Sequence, residues 1–116
     1  MGSRKETVDY LLEQLFRIDE IRAKRMFGEF GTYAGDKFVA ALCDDERFIK
    51  ATTGGRKFFP DCLERAPFLG AKPWLFVPSD RWEEKHWLCE FTEITARQLL
   101  PVQSKKRSKR LLPGSS

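Results

Sequence analysis

The residues that could do chemistry are few and scattered. One histidine, His86, lies in the charged run Glu83-Glu84-Lys85-His86. With no second histidine or serine motif beside it, it builds neither a triad nor a metal site, and a solvated, helix-stabilising role is the expectation. Asp44-Asp45-Glu46 could hold a cation, but no repeated ligand spacing follows, so a charged hairpin turn is expected. Cys43, Cys62 and Cys89 are evenly spread with no CxxC pair. Thiols in that pattern read as small core hydrophobes in a reducing compartment, with a bacterial cytoplasm the expected home. Gly28, Gly31, Gly54 and Gly55 lack the context of a phosphate loop. No catalytic residue, metal ligand or cofactor site is therefore assigned, and the chain reads as a non-enzyme.

Two further groups could bind rather than react. Lys105, Lys106, Arg107, Lys109 and Arg110 place five cations in a stretch, 103–116, that contains no acid. Removing them from the net charge of +4 leaves residues 1–102 at −1, so the basic character belongs to the tail. Such a tail could neutralise phosphates without sequence preference, which makes nucleic acid the alternative partner. No helix-turn-helix or zinc-finger pattern accompanies it. The aromatics Phe27, Phe30, Tyr33, Phe38 and Phe48 invite comparison with a base-stacking sheet. Without an RNP consensus, burial in the core is the better expectation, and any part left exposed would first suggest a dimer interface.

These residues must be positioned by one domain of residues 1–102, followed by the tail 103–116, whose Ser, Lys, Arg, Pro and Gly have little to bury. No apolar run is long enough to span a membrane, and the N-terminus has no secretory apolar block. A helix is expected from about Arg4 to Phe16, with Ser3 and Glu6 in capping-box register and Val8, Leu11, Leu12 and Leu15 forming one stripe. After the charged stretch 19–25, three antiparallel strands are expected: Met26–Tyr33, Phe38–Cys43 and Arg47–Ala51, with turns at Gly35-Asp36 and Asp44-Asp45. A short helix over about Gly55–Arg65 follows, in which Pro60 fits only the first turn or a kink. Pro67–Leu69 and Pro73–Val77 read as a second hairpin. A last helix runs from about Arg81 to Leu100, with Asp80 and Glu83 in capping-box register.

The run Arg25-Met26-Phe27-Gly28-Glu29-Phe30-Gly31-Thr32-Tyr33, then Gly35-Asp36-Lys37-Phe38, then Arg47-Phe48-Ile49-Lys50, resembles the opening of the TfoX/Sxy N-terminal domain family. Pro67-Phe68, Lys72-Pro73 and Val77-Pro78 match its later landmarks, so the resemblance covers about Val8 to Leu100. Glu29 stands where the family usually has a second glycine, and the tail stands where several members carry a C-terminal domain. The resemblance implies an α+β fold of two layers, with an antiparallel sheet in the order α-β-β-β-α-β-β-α, similar to secretion chaperones. It gives Arg25, Met26, Phe27, Gly28, Gly31, Lys50, Pro73 and Pro78 mainly structural roles. It also implies regulation of natural competence: members are co-activators of DNA-uptake genes that act with a catabolite-responsive activator. A protein partner in transcription regulation is thus expected. A homodimer is expected on separate grounds, since Phe38–Cys43 is apolar on both faces while a two-layer fold covers one.

Overall fold

The computed structural model describes residues 3–26 and 29–99. Phe27, Gly28 and the cations of residues 105–110 lie outside them. The chain folds as α+β, with one antiparallel sheet of six strands in the order β1-β2-β3-β4-β6-β5.

The sheet begins one strand earlier than the sequence reading placed it. Ile21–Met26 is β1, paired in full register with β2, Glu29–Ala34. Ile21 and Ala23 are half-buried while Arg22 and Lys24 are exposed, the alternation of a strand with one wet face. Charge density hid that pattern. β3 (Lys37–Cys43) and β4 (Glu46–Ile49) complete a four-stranded meander. The turn between them places Asp44 and Asp45 at φ 55° and 57°. Two left-handed residues match the twist of a two-residue hairpin, and aspartate tolerates that region better than most residues. Glu29 has no positive φ, so replacing glycine there strains nothing. Instead its carboxylate accepts from the Ser3 backbone N–H (3.0 Å), the Ser3 hydroxyl (2.7 Å) and the Asp44 N–H (3.2 Å).

That clamp also explains why Ser3 does not cap the first helix. α1 spans Lys5–Gln14, with Arg4 at its N-cap and no side-chain cap. The Ser3 hydroxyl accepts from the Asp45 N–H at 3.0 Å and so ties the chain to the β3–β4 turn. Val8 and Leu11, with Leu15 just beyond the helix, are buried against the sheet.

α2 is Thr53–Phe58, earlier and shorter than the expected 55–65. The Thr52 hydroxyl accepts from the Gly55 N–H and starts it, and the helix ends before Pro60 can enter it. A Cβ at Gly55 would lie 3.2 Å from both the Leu75 and Phe91 side chains, so α2 approaches the core as glycine allows. The second hairpin pairs β5, Glu64–Arg65, with β6, Trp74–Val77. Residues 67–69, expected as a strand, belong to the loop between them.

A 3-10 turn, Ser79–Arg81, precedes α3, Lys85–Arg97. The expected Asp80–Glu83 capping box is not formed: the helix starts four residues later, with Glu84 at an N-cap that has no side-chain bond. Trp82 sets that delay. It is buried, and its indole Nε1 donates to the Val77 carbonyl at 3.1 Å, which holds 82 in the connection. Leu88, Cys89, Phe91, Thr92 and Thr95 form the buried face of α3. The two threonine hydroxyls donate to the carbonyls of Leu88 and Phe91, one turn back.

Candidate functional site

A bulge decides what the sheet shows on its second face. Tyr33 pairs with Phe38 and Thr32 with Ala40, so Val39 is skipped in the register. Val39, Ala40 and Leu42 enter the core beneath α1 and α3. Phe38, Ala41 and Cys43 join a separate cluster with Phe48, Trp74 and Phe76. Among the described residues no helix packs on that second face. The chain covers it in part with the loop after β5, and Phe68 and Leu69 of that loop are 51 % and 102 % exposed.

Rings and cations alternate across this face. Tyr33 stacks on Phe38 at 5.0 Å, and Phe38 meets the edge of Trp74 at 5.5 Å. Arg22 lies over Tyr33, Lys50 over Phe38 and Trp74, and Arg65 over Phe48 and Phe76, at 4.7 to 5.7 Å from the ring centres. Phe48 and Trp74 are buried, while Tyr33, Phe38 and Phe76 are half-buried. The core reading of the aromatics thus holds for Phe30 and Phe48 and only partly for Tyr33 and Phe38. A groove of about 500 Å³ runs along the face, lined by Met26, Phe38, Ala41, Cys43, Pro67 and Phe68, with Glu29 and Asp44 at its acidic end.

Of the family-motif residues, Met26 lines the same groove. Met26 and Phe38 fill the space where a Gly31 side chain would go, the Met26 sulfur lying 2.8 Å from the position of a Cβ. Arg25 instead stacks over Phe30 at 4.9 Å. Pro73 is exposed just before β6, and Pro78 follows it as the N-cap of the 3-10 turn.

The chemical candidates are engaged in structure. His86 is exposed and sits at 5.6 Å from Phe16, edge to face. Asp45 accepts from the Arg4 backbone N–H and guanidinium, which hold its carboxyl below the usual range, and Glu46 pairs with Arg65 at 3.0 Å. Among the described residues no group of His, Cys, Asp and Glu could hold a metal ion. None of their helices is long and apolar enough to cross a membrane.

Cys43 and Cys89 are buried and Cys62 half-buried, all three as free thiols. Burial pushes the thiols of Cys43 and Cys62 up to about 11. Thiolate is the reactive form, so at pH 8 these two should alkylate roughly a hundredfold more slowly than in the unfolded chain. Their rates should climb with pH towards 11. Mass-resolved iodoacetamide labelling checks this, and equal native and denatured rates would contradict it.

The residues that sequence reasoning passed over are Arg65, Trp74, Phe76 and the loop at Phe68. Only the fold brings them beside Phe38.

Comparison with known proteins adds a family. The profile of the TfoX N-terminal domain matches residues 13–99. A Spirochaeta aurantia protein described as "Uncharacterized 12.7 kDa protein in trpE 5'region" is 35% identical over 95 residues, covering 82% of this chain and 81% of that protein.

Proposed function

Because the chain belongs to the TfoX N-terminal domain family, we propose that it is a non-enzymatic regulatory domain of natural competence, working in the cytoplasm through protein contacts in transcription control. One observation carries this reading: the helix-free face presents an apolar groove bordered by a loop whose Phe68 and Leu69 point side chains into solvent. Large exposed apolar residues beside a groove are what a protein contact buries.

The occupant that this face fits is a second copy of the chain. Arg22 and Lys50 lie at the end of the face beside the Gly35-Asp36 turn, and Glu29 and Asp44 at the other. A two-fold axis lying in the interface at right angles to the strands sets the strands of the two copies antiparallel, so the cationic end of one meets the acidic end of the other. The alternative, contact with nucleic acid through Lys105, Lys106, Arg107, Lys109 and Arg110, rests on residues outside those described.

The regulatory reading is tested in the native host. A strain lacking the chain is complemented with the wild type or with the Phe68→Asp, Leu69→Asp double variant, and transcripts of the DNA-uptake genes are counted. The wild type should restore them, and the variant should leave them at the deletion level. Unchanged transcripts in the deletion strain would sink the regulatory role, and full rescue by the variant would sink the role of this face.

A further inference from the structure

A second opening lies beside the contact face. It is an open cleft of about 610 Å³, bordered by the residues that follow β4, by α2 and by the loop between β5 and β6. Phe68 is the one residue that lines both this cleft and the groove. Lys50, Arg56, Lys72 and Glu64 also line it, so three cations against one carboxylate leave it two charges positive. Residues 1–102 as a whole carry a net charge of −1. Positive charge is therefore concentrated here against the sign of the domain, and a concave surface focuses such a field on an anion.

These charges are held in place. Arg56 grips Glu64 with two prongs, Nε donating to one carboxylate oxygen at 2.9 Å and Nη2 to the other at 3.3 Å. The Lys50 ammonium stands 4.7 Å from the ring centre of Phe38 and 5.7 Å from that of Trp74, which itself walls the cleft. Ring contacts fix an ammonium without cancelling its charge. Lys72 is exposed and pairs with no carboxylate among the described residues. The rest of the wall is apolar, with Pro73 beside Trp74 and a Phe68 side chain that is 51 % exposed.

Charge and walls together select the ligand. Two net positive charges match a phosphate monoester, which carries close to two negative charges at neutral pH. The cleft is far larger than a phosphate and falls in the size range of small-molecule sites. Phe68 offers a ring on which a flat body can stack, and carboxylate oxygens such as those of Glu64 have lone pairs left for hydroxyl donors beyond the Arg56 bonds. We propose that this cleft binds a nucleoside monophosphate: Lys50 and Lys72 take the phosphate, Glu64 the ribose hydroxyls, and Phe68 the base. Of the charged residues only Lys50 also belongs to the contact face.

Amide and indole NMR spectra of the full nitrogen-15-labelled chain, titrated at low salt with AMP, test this. The Trp74 indole signal and the amides of Lys50, Arg56 and Lys72 should shift and saturate, while the Trp82 and Trp87 indoles, which do not line the cleft, should stay. Lys72→Glu, an exposed change that leaves the fold intact, should weaken AMP by about tenfold, because an attraction is lost and a repulsion added. Adenosine and inorganic phosphate should each bind at least as weakly as AMP binds that variant. Adenosine binding like AMP would remove the phosphate from the site, and phosphate binding like AMP would remove the base; either result overturns the proposal. So would shifts confined to residues 103–116, or an unchanged affinity in the variant. An oligoglutamate peptide that moves the Trp74 signal where AMP does not would give the cleft to an acidic protein segment instead. None of these readouts is the oligomeric state, so failure here leaves the contact reading to its own test.

Discussion

Truncating Phe91 to alanine should lower the unfolding free energy by about 3–5 kcal/mol, the range for removing a fully buried phenylalanine. Phe91 has no exposed surface and lies at 5.3 to 6.0 Å from the rings of Trp87, Phe58 and Phe59. It is also one of the side chains against which Gly55 docks α2. The cavity would therefore open where α2, α3 and the sheet meet. Small domains hold roughly 5–15 kcal/mol in all, so the variant should sit near the edge of folding. Urea unfolding measures it: the midpoint should fall by about 2 M with little change in slope. Phe91→Leu, which keeps most of the volume, should lose less than half as much. A loss below about 1 kcal/mol for alanine would mean that this cluster does not carry the helical layer.

The second large effect separates folding from assembly. Phe68→Asp with Leu69→Asp should change stability by less than about 1 kcal/mol, because both side chains already meet solvent in the single chain. In a face-to-face pair the same two positions would be buried. Two carboxylates placed there lose hydration without a partner, which typically costs an interface several kcal/mol and a hundredfold or more in affinity. The expected result is a folded protein, with wild-type urea midpoint, that no longer self-associates. Equal loss of stability and assembly would show that the loop is part of the core instead.

Much of the fold was legible because its signals are local. The stripe Val8, Leu11, Leu15 marks α1, and the apolar run Phe38–Cys43 marks an interior strand with both faces covered or contacted. Family order added the α+β class. What escaped reading depends on contacts far apart in sequence. Ser3 and Glu6 have the spacing of a capping box, yet Glu29 and Asp45, more than 25 residues away, take the Ser3 bonds. Trp82 delays α3 by reaching back to Val77. Ile21–Met26 alternates as a strand should, but five charges in the seven residues 19–25 read as a connection until β2 is there to pair with it. The candidate site shows the same division. Phe38, Phe48 and Lys50 were visible as residue types. That Phe38 and Ala41 share a face, three residues apart, follows from the bulge at Val39, which no periodicity displays.

The central claim is that the helix-free face of the sheet is a protein contact surface, and that a second copy of the chain fits it. Light scattering on the purified full chain, wild type beside the Phe68→Asp, Leu69→Asp variant, tests it most directly. The wild type should give twice the 13.5 kDa of a single chain and the variant 13.5 kDa. A wild-type protein that remains at 13.5 kDa at every concentration reached, or a variant as dimeric as the wild type, would contradict the account.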